Sequence, residues 1–147
     1  MNRRVRLLLT LLLLCLGFAM WQWMRPYDWN PDPQARAKVS FVSIERDESF
    51  YWLDIHLKIT DPRGHDLEKP VRLVLADGRE LEPADTKLEG SALQSIEGVS
   101  FRFWLDSENV MGPLRLKLND GTLLIRQKPE PPQLAPDDVQ FHQSNNW

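Results

Sequence analysis

The sequence predicts an all-β protein, an antiparallel β-sandwich of about seven short strands behind one N-terminal transmembrane helix. Three observations lead there. A leucine-rich apolar run, Leu7 to Met24, follows three arginines. From Ala37 onward the hydrophobic period changes to two, the spacing of a half-buried strand. Turn residues, among them two Asp-Gly pairs at Asp77-Gly78 and Asp120-Gly121, separate the alternating segments.

The apolar run is broken only by Thr10 and Gln22 and is 18 residues long, at the lower end of the ~17–25 that span a bilayer core. Leu7 and Leu16 bracket its most apolar part, and Trp21 and Trp23 stand at its outer end, where indole rings favour the headgroup zone. Arg3, Arg4 and Arg6 precede it and set the expected topology, with the N-terminus cytoplasmic and the remainder exported. These features read as an uncleaved signal anchor. A cleavable signal peptide is the rival, since Gly17-Phe18-Ala19 offers small residues for a cut after Ala19. A lipoprotein reading through Cys15 fails because Leu14, not a small residue, precedes it.

Behind residue 36 about 110 residues remain, enough for one modest domain with a single core. That part carries 13 basic and 19 acidic residues, a balance of −6. An acidic domain without a basic stripe is unsuited to phosphate backbones, so no nucleic-acid partner is expected. The only cysteine, Cys15, lies in the apolar segment, so the exported part has neither disulfide nor thiol. No Asn-x-Ser/Thr acceptor occurs. Together these favour a bacterial inner membrane with a periplasmic domain, single-pass.

The organisation expected is an anchor over residues 1–24, a spacer over 25–36, a sandwich over 37–126 and a tail over 127–147. The spacer holds Pro26, Pro31 and Pro33, which forbid a continuing helix. Val39 to Ile44 is the first strand, closed by Asp47-Glu48-Ser49. In the next, Tyr51, Leu53, Ile55, Leu57 and Ile59 share one face, and Trp52, Asp54, His56 and Lys58 the other. Asp61-Pro62-Arg63-Gly64 ends it. Val71 to Leu75 and Arg79 to Leu81 form a hairpin through Ala76-Asp77-Gly78. Val99, Phe101, Phe103 and Leu105 alternate with Ser100, Arg102 and Trp104. Leu114, Leu116 and Leu118 then turn at Asn119-Asp120-Gly121 into Leu123 to Arg126. Asp85 to Glu97 reads equally as loop, short strand or a helical turn around Ser91 to Ile96. The tail holds four prolines and is expected to be extended and partly disordered, although Asp138 to Phe141 could pair with a sheet edge.

Such a strand set suits an immunoglobulin-like sandwich, with a small closed barrel as the alternative. Phe50 to Leu57, the stretch from Leu67 reading LEKPVRLVLADGRE, and Val99 to Leu105 follow the element order of small immunoglobulin-like domains exported by bacteria, which the region from Val39 to Arg126 resembles. The resemblance implies a fold and an extracytoplasmic address and carries no catalytic residues.

Of the chemistry-bearing residues, Asp54 and His56 project from one face and are ordinary metal ligands, but the sequence nominates no third. His65 lies in a turn and His142 in the tail. No nucleophile elbow, phosphate-cradling loop or His-Glu-x-x-His helix occurs, so neither an enzyme nor a cofactor is expected. Trp52 and Trp104 fall on the polar faces of their strands. If those strands are neighbours, Trp52, Asp54, Arg102 and Trp104 form one patch, two rings beside a charge pair. The expected function is therefore attachment of an envelope partner protein by an anchored accessory or scaffold subunit. A small-ligand module for sugar or metal, using Asp54 and His56 as well, is the alternative, and an unrecognised enzyme the third reading. The tail or the Asp85 to Glu97 stretch could instead fold over the two indoles.

Overall fold

The computed structural model describes residues 2–24, 32–91 and 95–147. One helix, α1 (Arg3–Met24), is long and apolar enough to cross a membrane, and none of its residues is buried against the rest of the chain. Nine strands follow: β1 (Ala37–Asp47), β2 (Phe50–Ile59), β3 (Arg72–Val74), β4 (Glu80–Leu81), β5 (Asp85–Ser91), β6 (Ser95–Asp106), β7 (Leu114–Leu118), β8 (Gly121–Arg126) and β9 (Val139–His142). They make two antiparallel sheets, β5-β6-β2-β1-β9 and β4-β3-β7-β8, rather than one closed barrel.

The two sheets share one core, into which the apolar faces of their strands point. Leu53, Ile55 and Leu57 of β2, Phe101 and Phe103 of β6, and Val42 and Ile44 of β1 enter it from the five-stranded sheet. Leu73, Leu114, Leu116, Leu118, Leu123 and Ile125 enter from the other. β1 departs from strict alternation. Val39 pairs Leu57, but Phe41 pairs His56, so Ser40 forms a bulge and Val39 and Val42 both point inward. Without that extra residue, Phe41 would enter the core and Val42 would leave it.

The structure adds two strands to the expected seven. Asp85–Ser91, ambiguous in sequence, is an edge strand paired with β6. The helical turn considered around Ser91 to Ile96 falls partly on residues 92–94, outside the described residues, and β6 begins at Ser95. Val139–His142 pairs antiparallel with β1, from Glu45↔Val139 to Val42↔His142.

The segment 127–147 is docked along the sandwich, where its prolines suggested partial disorder. Leu134 and Trp147 are buried with the core. Arg126, 1% exposed, holds this segment by donating from Nε to Trp147 O and from Nη1 to Val110 O, both 2.8 Å, and from Nη2 to Glu130 O. The Trp147 indole donates to Ile125 O at 2.9 Å and stacks on His142 with centroids 4.8 Å apart. A buried guanidinium has five N–H donors and so satisfies several main-chain acceptors at once.

The last residues of the expected spacer also belong to the domain. Pro33–Ala35 is a 3-10 turn capped by Asp32, and Ala35 is fully buried. Asp32 accepts from Thr122 N at 2.9 Å, and Asn119 Nδ2 donates to Ala35 O at 2.6 Å. The open side of β8 is thus covered by residues 32–36 at one end and by the chain around Trp147 at the other, which withholds it from edge pairing. β5, the longer open edge, carries Asp85, Lys87 and Glu89 instead.

Gly121 sits where this cover is tightest. A Cβ there would lie 2.8 Å from Ala35 Cα and Gln34 C, and closer still to Ala35 N. Gly121→Ala is expected to cost about 1–3 kcal/mol of stability, read as a lower urea midpoint of the detergent-solubilised protein. An unchanged midpoint would show that the turn at Pro33–Ala35 does not support the fold.

His142 supplies a second test. Burial first, then the charges of Arg126 and Lys128, hold its pKa below the usual 6.5, and burial does the same to His65. As pH falls through about 6.5 the unfolded chain takes these protons before the folded one, so stability declines progressively toward the folded pKa. His142→Gln is expected to remove part of that decline between about pH 7 and pH 5. Equal losses in variant and parent would mean that His142 does not contribute.

Candidate binding face

The pairing of β2 with β6 puts the expected residues side by side. Trp52 is opposite Trp104, Asp54 opposite Arg102, and His56 opposite Ser100. All lie on the outer face of the five-stranded sheet, because their neighbours Leu53, Ile55, Phe101 and Phe103 fill the inner one. Cross-strand partners share a face with Cβ atoms about 4.5–5.5 Å apart, so the register draws the face row by row. At one end Phe50 lies between Asp47 and Asp106. The next row runs Trp104, Trp52, Glu45, Val139. Then come Asp85, Arg102, Asp54, Ser43 and Phe141, and finally Lys87, Ser100, His56 and Phe41.

Two aromatic groups flank a charged middle. Trp52 and Trp104 have centroids 5.0 Å apart, and Phe50 meets Trp104 edge-on at 5.1 Å and 87°. On the other side Phe41 stacks on His56 at 4.1 Å and approaches Phe141 at 6.2 Å. Neither the tail nor β5 covers the indoles. Trp104 is 51% exposed, Phe50 42%, Val139 43% and Phe141 69%, while Trp52, Phe41 and His56 are half-buried.

Between the groups, the Arg102 guanidinium lies over the Trp52 ring at 4.4 Å. Its carboxylate neighbours, Asp54 and Glu45, are both 3.9 Å away. At that distance neither makes a hydrogen bond, and Arg102 Nε, out of reach of water, has no partner. The cation is therefore held by the ring face and by the field of two acids. Asp54, His56, Asp85, Lys87, Ser100 and Arg102 line a shallow hollow of about 110 Å³.

Asp54 and His56 share the face as expected but lack the company a metal requires. Among the described residues no three His, Cys, Asp or Glu side chains converge. Ser100 Oγ lies 2.9 Å from His56 Nδ1, a contact the sequence reading missed. The pair has the look of a nucleophile and its base, yet it sits in mid-sheet, where the ladder consumes main-chain N–H groups that could stabilise an oxyanion. Phe41, Val139 and Phe141 were also missed. Phe41 was hidden by the bulge, and the other two by lying in the supposed tail. No protein-family model, curated protein or solved structure matches this chain.

Removing Trp52 and Arg102 singly and together tests their coupling. Trp52→Ala and Arg102→Met are expected to show a coupling energy of about 0.5–1 kcal/mol in a double-mutant cycle of urea unfolding. Additive losses would mean that ring and guanidinium merely adjoin.

Proposed function

We propose that this protein is an anchored envelope subunit whose exported domain attaches a partner protein through the outer face of its five-stranded sheet. One observation carries the reading. Phe50, Trp104 and Trp52 on one side and Val139, Phe141 and Phe41 on the other flank a charged middle on the side of the sheet that the core does not use, and most of these apolar side chains are exposed. Large contiguous apolar patches on a soluble domain mark interaction surfaces, and aromatic and arginine side chains dominate their energetics.

The address rests on α1 and on Arg3, Arg4 and Arg6 ahead of it, which favour a cytoplasmic N-terminus and a domain on the periplasmic side of a bacterial inner membrane. The strand order supports an immunoglobulin-like architecture. β1-β2-β6-β5 follows the A-B-E-D order of such sheets and β3-β7-β8 the C-F-G order, with β9 added beside β1. A scaffold role agrees with a face that offers rings and carboxylates but neither an enclosed cavity nor converging main-chain donors. Trp52, with Arg102 already on its ring, is poorly placed to serve as a flat sugar platform.

Site-specific photo-crosslinking in native membranes tests this. A crosslinker at position 104 or 141 is expected to give a discrete adduct with an envelope protein. One at position 115, exposed on the four-stranded sheet, should give none. The adduct should be in the membrane fraction, at a mass that retains residues 1–24. Equal adducts from all three positions, or none from 104 and 141, would overturn the reading, and loss of the first 19 residues would overturn the anchor.

A further inference from the structure

The outer face contains the same arrangement twice, and the chain fills only one of them. In the first, an aromatic ring, Trp52, and two carboxylates, Glu45 and Asp54, surround a cation, the Arg102 guanidinium, at 4.4 Å from the ring centroid. In the second, Phe50 and Trp104 meet at 87° with centroids 5.1 Å apart, and Phe50 has Asp47 opposite it on β1 and Asp106 opposite it on β6. Among the described residues no cation stands over Phe50 or Trp104. Arg102, two residues from Trp104, lies over Trp52, and Arg46, the base nearest Phe50 in sequence, is on the alternate face of β1 and is engaged with Glu48 O and Leu134 O.

We infer that this second corner takes a basic side chain, an arginine or lysine of the protein that docks on the face. The inference rests on the partner-binding reading and specifies the chemistry of the partner. In an edge-on pair one ring's positive edge meets the other's face, and the exposed ring faces that remain on Phe50 and Trp104 attract guanidinium or ammonium groups. Asp47 is exposed, and Asp106 Oδ1 accepts from Glu108 N and Asn109 N, which orients its carboxylate at the strand end. With Glu45, Asp54 and Asp85 in the adjoining rows, five acids face one internal cation on this half of the sheet. An approaching basic segment is therefore steered to it, and an acidic one repelled.

A choline-type lipid headgroup would also suit an aromatic corner, and position in the fold favours a protein side chain. The chain enters the sheet at Ala37, and the corner lies at the far end of β1, at Asp47. Ten residues at about 3.3 Å each place it roughly 33 Å along the strand from that entry. The corner is thus at the end of the sheet remote from the segment that leads to α1.

The test uses the full chain in a neutral detergent, with the Trp104 indole N–H resonance as readout. A tetra-arginine peptide is expected to shift that resonance saturably, and the peptide with citrulline in place of arginine is not. The pair Asp47→Asn with Asp106→Asn keeps the side-chain oxygen that accepts from Glu108 N and Asn109 N. It is expected to weaken the arginine response about tenfold, and high salt to weaken it further. An equal response to citrulline, or an unchanged one in the double variant, would overturn the inference. So would a stronger response to phosphocholine than to tetra-arginine. The photo-crosslink from position 141, which leaves both rings of the corner in place, separates the two levels. If that adduct persists in the double variant, the face docks a partner without a basic side chain in the corner. If it never forms, the partner-binding reading itself fails.

Discussion

The centre of the outer face is placed by the pairing of β2 with β6, where Leu53 meets Phe103 on one side of the sheet and Trp52 meets Trp104 on the other. Side chains in a strand have period two, so a slip by one residue would exchange the two faces completely. A slip of β2 would drive Tyr51, Leu53, Ile55 and Leu57 toward water. At about 1.5–3 kcal/mol for each buried side chain, the slip would cost on the order of 10 kcal/mol, comparable to the whole stability of a small domain. The inner face fixes the register, and the register fixes the outer face. Nothing in the core, however, requires indoles at positions 52 and 104, or a phenyl at 50.

A domain with no cysteine must close its ends by other means. Here both flanking segments return to β8. Asp32 and Ala35 meet it at the Gly121 end, and the chain near Asn145 and Trp147 meets it beyond Ile125, where Gln127 N donates to Asn145 O at 2.7 Å. Arg126 is the centre of the second closure. A buried guanidinium is costly to desolvate, but its three carbonyl acceptors lie on three separate parts of the chain, Val110, Glu130 and Trp147. Replacing it would leave those acceptors unpaired together, and the proline-bearing segment would lose its attachment. The same packing makes the pKa of His142 a property of the closure, since the charges that depress it are those of Arg126 and Lys128.

The strands that could be read from sequence are those with strict alternation. β2, β6, β7 and β8 all declare themselves, and so do the two Asp-Gly turns, because a two-sided environment imposes period two on five or more residues. β5 was illegible because an edge strand packs on one neighbour only, and Asp-Thr-Lys-Leu-Glu carries the charges that protect an edge instead of a pattern that fills a core. β9 is four residues long and is held by main-chain pairing, which leaves little trace in side chains. The face of Phe41 was not legible because the bulge at Ser40 is a backbone event. Of the outer face, the four central residues Trp52, Asp54, Arg102 and Trp104 were legible since adjacency of β2 and β6 brings them together. Phe141 and Val139 were not, because their membership depends on a contact nearly a hundred residues away in sequence.

The size of the face bears on how it would work in the proposed role. Five strands at about 4.8 Å and three or four rows at about 7 Å give a patch roughly 24 Å by 20 Å, on the order of 500 Å². That is below the ~800 Å² each partner contributes to a standard stable interface. Alone in dilute solution such a surface would bind weakly. A single-pass anchor changes the arithmetic, because a partner confined to the same membrane meets the face at an effective concentration in the millimolar range, and a weak contact is then occupied. Charge becomes correspondingly important. When the apolar area is too small to choose a partner, the choice falls to the five acids around the rings, which reject acidic surfaces as strongly as they admit basic ones. The tether supplies occupancy and the carboxylates supply selectivity, which leaves the rings to supply a place where a desolvated cation is welcome.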